Sequence, residues 1–310
     1  MSHPAEAADT PTPIISLRPV VLPTAPNRGE DLQIRISAPL TGENLPIIVF
    51  SHGFGQSLDS YAPLVDFWAA CGFAVIQPTH LDSHTLNLTP DDPRYPEIWR
   101  IRVEDITSIL DHLDVIEAAV PGLAGRLDRS RIVAAGHSWG AQTIGMLLGA
   151  RVLDAAGLPG ADLTDPRIKA GVFLAAAGTG GPDLTPFAAE HFAFMNPDFT
   201  QLNTPTLVVA GDKDQSALSV RGPEWFTDAY FLSPGAKNLL TLFGGEHSLG
   251  GIVGYNNTET TDESPERVAL IQQLTVAFLR STLDPTDTSW STASADLTEG
   301  AHPQGRIESK

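Results

Sequence analysis

The chain has 310 residues, of which 42% are hydrophobic, and this proportion excludes a largely disordered protein. Its formal net charge is −18, from 19 Lys and Arg against 37 Asp and Glu. Because such a polyanion repels phosphates and anionic lipids, we expect neither nucleic acid nor a membrane surface as a partner.

The cysteine content and the first residues bear on the compartment. Cys71 is the only cysteine, so no disulfide can form within the chain, which fits a reducing environment. Its apolar neighbours favour a buried side chain over a nucleophile. Residues 1–9 lack the basic start and apolar core of a signal peptide, and the sequence contains no apolar stretch of about 18 residues. These features predict a cytoplasmic protein without membrane insertion.

Strand-like and helix-like segments alternate between two polar ends. Residues 1–13, rich in Pro, Ala and Thr, predict a flexible N-terminal segment. The first half of the chain then predicts strands at 31–38, 47–50, 73–77 and 131–135. Apolar residues at helical spacing predict helices at 58–71, 101–119 and 141–151.

The second half continues this alternation. It predicts strands at 170–175, 206–210 and 239–242 and a helix at 265–282. Residues 284–310, rich in Ser, Thr, Asp and Pro, predict a surface tail, which leaves one domain at 14–283. The alternation predicts an α/β fold, with a mostly parallel central sheet and helices on both faces. The long connection at about 178–203 predicts a small lid.

The strongest chemical signal is Gly136-His-Ser-Trp-Gly140. It fits the G-x-S-x-G pattern of a nucleophile elbow, a sharp strand-to-helix turn that lifts a serine above the sheet. The turn is strained and needs small flanking residues, and here an apolar strand precedes it and a helix of small residues follows. Ser138 is therefore the predicted nucleophile. The alternative is a Gly-rich turn whose serine only caps the helix.

A serine hydroxyl needs a base to take its proton. In the fold that contains this elbow, an acid and then a histidine follow the serine along the chain. Three histidines follow Ser138, and two are poorly placed, because His191 lies in an irregular segment and His302 in the tail. His247 directly follows the strand at 239–242 and is the predicted base.

The acid is expected in the loop Gly211-Asp-Lys-Asp214, after the preceding strand. It must be buried, orient the imidazole and stabilise its charged form. The turn at Gly211 should direct the later residue towards the histidine, so Asp214 is preferred and Asp212 is the alternative. Glu246 is interpreted as a solvated charge.

Negative charge on a substrate oxygen requires preorganised donors. One is expected from the backbone N–H of Trp139, the residue after the nucleophile. The other is expected from the Gly-containing loop after the strand at 47–50, where the N–H of Phe54 is preferred and that of Gly55 is the alternative.

These residues resemble the α/β-hydrolase superfamily, within its serine esterase and lipase branch. The segment 46–248, about two-thirds of the chain, follows the family plan in order and spacing, which implies a Ser138, Asp214 and His247 triad. His-Gly-Phe-Gly at 52–55 is similar to the oxyanion loop of esterases. The lid and the run at 100–105 are most similar to the group of dienelactone hydrolases, chlorophyllase-like proteins, polyester hydrolases and platelet-activating-factor acetylhydrolases.

Further residues are candidates for the substrate pocket, namely Phe54, His80, Trp99, Phe187 and Phe192. An apolar lid would enclose an acyl or aromatic group and exclude water, or else pack locally. His80 begins an alternating His, Asp, His segment that lacks a fourth ligand, so a polar loop is favoured over a metal site. Arg102 is expected to pair with a carboxylate on its own helix.

Together these features predict a serine hydrolase that cleaves a small-molecule carboxylic ester through an acyl-enzyme, without a metal or organic cofactor. The same triad also serves thioesterases, amidases and acyltransferases. A non-catalytic binding protein on the same fold is disfavoured, because no member of the triad is missing. The acyl length, the alcohol group and the oligomeric state stay open.

Overall fold

A mostly parallel sheet forms the centre of the computed structural model, which describes residues 12–24, 26–89, 91–254, 257–258, 260–301 and 303–310. The strands are β1 (Ile14–Leu22), β2 (Leu32–Pro39), β3 (Leu45–Ser51), β4 (Ala74–Pro78), β5 (Leu127–His137), β6 (Arg151–Val152), β7 (Ile168–Leu174), β8 (Pro197–Asp198), β9 (Thr206–Gly211), β10 (Ala236–Leu242) and β11 (Gly305–Ser309). The predicted flexible segment 1–13 lies outside the described residues, except for Thr12 and Pro13.

Within the described residues, nine strands form the central sheet in the order β1-β2-β4-β3-β5-β7-β9-β10-β11. All neighbours from β4 to β10 run parallel, whereas β1, β2 and β11 join the two edges antiparallel. The predicted α/β architecture with a mostly parallel sheet is confirmed. The short strands β6 and β8 pair separately, and of the two only β8 lies within the predicted lid region.

The central strands are covered on both faces. Ile47, Ile48, Val49 and Phe50 of β3 are all fully buried. Because successive side chains of a strand point to opposite faces, this continuous apolar run requires a layer on each side of the sheet. Parallel strands also place their carboxyl ends at one edge, where the connecting loops gather.

The helices are α1 (Ala62–Ala70), α2 (Ile98–Asp111), α3 (Leu113–Ala119), α4 (Trp139–Leu147), α5 (Pro186–His191), α6 (Asp228–Leu232), α7 (Pro265–Leu283) and α8 (Ser289–Glu299). The helix predicted at 101–119 is thus two helices, separated at His112. Its ring Nδ1 lies 2.8 Å from the Ser108 carbonyl oxygen, and its N–H is shared between the carbonyls of Ser108 and Ile109. In the described parts of the chain, no helix combines the length and the apolar character needed to cross a membrane.

The C-terminal residues belong to the fold, so the prediction of a surface tail at 284–310 is wrong. Helix α8 packs on α7 through Trp290, whose ring makes an edge contact with Phe278 at a centroid distance of 5.5 Å. Trp290, Ala293 and Leu297 repeat at helical spacing and pack on the core, although polar residues surround them in sequence. Strand β11 then pairs along five residues of β10. The prediction of a tail considered only the polar composition of residues 284–310 and so missed the apolar residues along one face of α8.

We expect deletion of residues 303–310 to lower Tm by roughly 5 °C, because it removes the partner of β10 and exposes a sheet edge. The lost strand pairing contributes about 2 kcal/mol to the free energy of unfolding. Each kcal/mol lost lowers the Tm of a large domain by roughly 2–4 °C. Thermal unfolding followed by circular dichroism measures the change. The control Arg306→Ala removes only an exposed ion pair with Glu308 and should leave Tm within about 1 °C. An unchanged Tm in the deletion would contradict the structural role of β11.

Candidate active site

Ser138 lies in a strained turn between β5 and α4. Its backbone has φ 55° and ψ −119°, a region that costs a residue with a side chain about 1–3 kcal/mol. The surroundings hold it there. Its N–H donates to the Leu174 carbonyl on the neighbouring strand at 2.9 Å, and its own carbonyl accepts from the N–H groups of Ala141 and Gln142. The chain therefore turns sharply and leaves the serine side chain partly exposed.

The glycines of the turn are required by close backbone contacts. A Cβ at Gly136 would lie 2.3 Å from the Gly140 carbonyl oxygen, and one at Gly140 would lie 1.9 Å from the Ser51 carbonyl oxygen. Neither contact is possible for a side-chain carbon. The elbow thus fits directly against the end of β3, where the loop with Phe54 begins.

Three side chains from separate loops form a hydrogen-bonded relay. Ser138 Oγ lies 3.0 Å from His247 Nε2, and His247 Nδ1 lies 3.0 and 3.1 Å from the two oxygens of Asp214. Because the carboxylate can only accept, Nδ1 carries the ring proton and Nε2 accepts from the serine hydroxyl. Asp214 is fully buried, whereas the His247 side chain is 41% exposed. The relay therefore connects a fully buried carboxylate to a partly exposed serine.

The structure brings Asp214, and not Asp212, to the histidine. Asp212 Oδ1 instead accepts the N–H of Gly244 at 2.8 Å, within the same pair of loops. Burial raises the pKa of the Asp214 carboxyl above its ordinary value, while the hydrogen bond from His247 acts in the opposite direction. The Glu246 carboxylate contacts Thr261 rather than the imidazole.

His191, one of the other two histidines that follow the serine, lies apart from this relay. His191 is exposed at the end of α5, beside the Phe187 ring. His302 lies outside the described residues. Of the three, His247 alone is shown in contact with Ser138.

Sequence reasoning missed the group that holds the histidine loop. Asp262 Oδ2 accepts the N–H of Glu246 at 2.8 Å and that of Gly250 at 2.9 Å, so one buried carboxylate fixes the chain on both sides of His247. Asp262 follows His247 by 15 positions in an irregular loop, and such spacing carries no sequence pattern.

The backbone donors can be compared directly. The N–H of Gly55 donates to the buried Asp82 carboxylate at 3.2 Å, so this alternative donor is occupied. Within the described residues, the N–H groups of Phe54 and Trp139 have no protein acceptor. Trp139 is the first residue of α4, where a helical N–H points out of the helix. The rings of Phe54 and Trp139 are adjacent, with centroids 4.7 Å apart.

Arg102 holds the loop at 52–55 in place through buried hydrogen bonds. The prediction that it pairs with a carboxylate on its own helix is wrong. Its Nη1 donates at 2.6 Å to Asp82, which follows β4, and both side chains are buried. Its Nη2 donates to the His52 carbonyl, and its Nε donates to the Thr143 hydroxyl at 3.0 Å. A buried ion pair thus holds both ends of the segment 52–55. Removing one partner of such a pair costs about 3–5 kcal/mol.

His80 belongs to a second relay that is buried. Because a buried side chain cannot contact substrate, its predicted place in the substrate pocket is wrong. Its Nε2 lies 3.0 Å from Ser51 Oγ and its Nδ1 lies 2.8 Å from Asp105 Oδ2. The bonds match those of Ser138, His247 and Asp214, but the His80 side chain is 0% and the Asp105 side chain 2% exposed. The side chains of His80, Asp82 and His84 do not converge, since each contacts a different group.

Aromatic side chains form a wall beside the serine. Trp139 makes edge contacts with Phe192 and Phe194, at centroid distances of 5.3 and 5.4 Å. Trp99 stacks on Phe194 at 6.2 Å, and Gln142 Nε2 donates to the Phe194 carbonyl at 3.0 Å. Of the predicted pocket residues, Phe54, Trp99 and Phe192 therefore contact this wall. Phe187 lies at its outer rim, with 57% of its surface exposed, and touches Phe192.

Comparison with protein-family models gives no match, and a search of curated proteins finds no similar sequence. The function of the chain is therefore inferred from the geometry of the site.

Buried histidines make the folded protein sensitive to acid. Burial lowers the pKa of His52 to about 4 and that of His137 to about 3, and it lowers the pKa of His80 well below 6.5. The unfolded chain, with pKa values near 6.5, takes up these protons first as the pH falls. Asp105 opposes this effect, because burial raises its pKa to about 6, so its contribution to stability grows as the pH falls from about 6 to 4. The raised pKa of Asp214 acts in the same direction as that of Asp105, and the three histidines outweigh the two carboxyls.

We expect the free energy of unfolding to fall by about 3–5 kcal/mol between pH 7 and pH 5, at roughly 1.4 kcal/mol per pH unit for each proton. Urea unfolding across this range measures it. His52→Gln should make the slope shallower by about one proton. The exposed control His191→Gln should leave the slope unchanged. A free energy independent of pH would contradict the neutral, buried state of these rings.

Proposed function

We propose that the chain is a serine hydrolase with the α/β-hydrolase fold and that it cleaves carboxylic esters. The observation that carries the proposal is the relay from Ser138 Oγ through His247 to the buried Asp214. The strand order also supports it, because the nucleophile, acid and base follow β5, β9 and β10 at one edge of the sheet.

The first half of the reaction forms an acyl-enzyme. Ser138 Oγ attacks the ester carbonyl carbon while His247 Nε2 takes its proton. Asp214 accepts the hydrogen bond from Nδ1 and stabilises the imidazolium. The negative charge on the carbonyl oxygen is held by the backbone N–H groups of Phe54 and Trp139. His247 then donates its proton to the leaving alkoxide oxygen, the ester C–O bond breaks and the alcohol departs.

The second half releases the acid. Water occupies the place of the alcohol and gives a proton to His247 as its oxygen attacks the acyl carbon. The tetrahedral intermediate uses the same N–H donors. Its collapse breaks the bond to Ser138 Oγ, which regains the proton from His247. His247 is the donor or the acceptor in every proton transfer of this sequence.

The aromatic wall and the charge favour an uncharged, apolar substrate. Phe192 and Phe194 are half-buried and pack on the buried ring of Trp139, the residue after Ser138, so they offer apolar surface there. Such surface binds acyl or aryl groups and excludes water. The net charge of −18 disfavours anionic esters. Thioester, amide and acyl-transfer reactions use the same relay, and no contact described above favours one of them. The single cysteine fits a cytoplasmic location.

Two neighbouring carboxylates provide a matched test. We expect Asp214→Asn to lower kcat for p-nitrophenyl esters by about 10³–10⁴-fold, because an amide at this position favours the wrong imidazole tautomer. Asp212→Asn should retain kcat within about threefold, because the Asp212 carboxylate accepts the Gly244 N–H in the same loops, whereas the His247 imidazole is bonded to Asp214. Esters of graded acyl length, with thioester and amide analogues, define the preferred bond. Equal rates in the two variants, or no turnover by the wild type, would overturn the proposal.

A further inference from the structure

Two buried side chains, Tyr61 and His137, connect the loops of the candidate site. Tyr61 Oη lies 3.0 Å from the Gly53 nitrogen and 2.8 Å from His137 Nδ1. His137 Nε2 lies 2.8 Å from the carbonyl oxygen of His247. These bonds involve neither Ser138 Oγ nor the His247 imidazole, so they act on the backbone that carries the reacting groups.

The hydrogen bonds that link Gly53, Tyr61, His137 and His247 allow one consistent arrangement of their protons. A carbonyl oxygen can only accept, so His137 Nε2 carries the ring hydrogen. Burial, and next the charge of His247, lower the pKa of His137 to about 3, which leaves the ring neutral and Nδ1 without a hydrogen at neutral pH. Nδ1 therefore accepts from the Tyr61 hydroxyl, whose oxygen accepts from the Gly53 N–H. The Gly53 N–H, the Tyr61 hydroxyl and both ring nitrogens of His137 thus each have a hydrogen-bond partner.

The surrounding backbone is built around these two side chains. A Cβ at Gly53 would lie 2.9 Å from Tyr61 Oη and 3.1 Å from His137 Nδ1, so glycine leaves room for both. Tyr61 itself has φ 64°, an uncommon conformation for an aromatic residue, and its N–H donates at 2.7 Å to Val253 in the loop after His247. Strain that the surroundings maintain in this way points to a functional constraint.

We propose that Tyr61 and His137 are positioning residues that fix the oxyanion loop relative to the His247 backbone. Gly53 is adjacent to Phe54, the proposed oxyanion donor, and His137 is adjacent to the nucleophile. The two side chains thus join the donor, the nucleophile and the base into one rigid unit. This role rests on the proposed function, because it acts on the alignment of the proposed catalytic groups.

The test removes one hydroxyl. Tyr61→Phe keeps the ring packed on Phe50, 4.7 Å away, but leaves the Gly53 N–H and His137 Nδ1 without their partner. We expect kcat for a p-nitrophenyl ester to fall about 10–100-fold with KM within about threefold, because small misplacements of catalytic groups reduce the rate this strongly. Tyr230→Phe, which removes the hydroxyl of another buried tyrosine, is the control and should leave kcat unchanged.

Substitutions at His137 provide a second test if Tyr61→Phe does not fold. The amide nitrogen of His137→Gln can still donate to the His247 carbonyl, whereas His137→Leu cannot. We expect the glutamine variant to retain more of kcat than the leucine variant. Equal kcat in both, or wild-type kcat in Tyr61→Phe, would overturn the positioning role.

Imidazole ¹⁵N NMR of the wild type separates this inference from the proposed function. We expect a neutral His137 with its proton on Nε2 and a slow exchange of that proton, which becomes faster in Tyr61→Phe. A protonated His137 ring, or a proton on Nδ1, would overturn the hydrogen-bonded chain through Tyr61 and His137, whether or not esters are cleaved. No ester turnover by a wild type with the expected spectrum would overturn the proposed function and the positioning role, and leave only the hydrogen-bonded chain.

Discussion

The site depends on the close contact between the elbow and the end of β3. The space that Gly140 leaves beside the Ser51 carbonyl lets the strained turn at Ser138 sit against the loop that follows β3. The free energy of this strain is offset by the sheet, through the bond from Ser138 N–H to Leu174, and by the helix that starts at Trp139. The proposed nucleophile and the proposed backbone donors are thus placed by the same contact, before any substrate binds.

Accessibility distinguishes two relays that are chemically alike. Ser51, His80 and Asp105 repeat the bonds of Ser138, His247 and Asp214, but the buried set is closed to any substrate. Its Ser51 oxygen also accepts from the Arg102 guanidinium at 3.3 Å. A buried, fully hydrogen-bonded network of this kind makes the layer beneath the site rigid. The fold thus uses the same groups once for support and once, in our proposal, for catalysis.

Much of the architecture follows from the sequence, because local patterns determine it. The run 47–50 is apolar at every position, which indicates a strand covered on both faces, and the glycines around Ser138 indicate a tight turn. Residues 284–310 show the limit of composition, since Trp290 and Leu297 contribute a packed face within a polar segment. His112 shows the limit of periodicity, because the apolar spacing continues through the position where α2 ends and α3 begins.

The site itself was predictable only where chain order restricts it. The order of serine, acid and histidine identified Asp214 and His247 as partners for Ser138, and a loop turn separated Asp214 from Asp212. No pattern links Asp82 to Arg102, or Asp262 to the N–H groups beside His247, since these contacts arise from how loops meet in space. His80 was placed at the correct edge, but its depth below the surface required the tertiary structure.

We propose that, of Ser138 and Ser51, only Ser138 is an activated nucleophile that a reagent can reach. Peptide mass spectrometry after treatment with a fluorophosphonate tests it most directly, because the reagent forms a covalent bond with a serine that it can reach and whose proton a neighbouring base can take. We expect one adduct per chain, located on Ser138, with Ser51 unmodified. An unmodified Ser138 under conditions that label a known serine esterase, or an adduct on another residue alone, would contradict it.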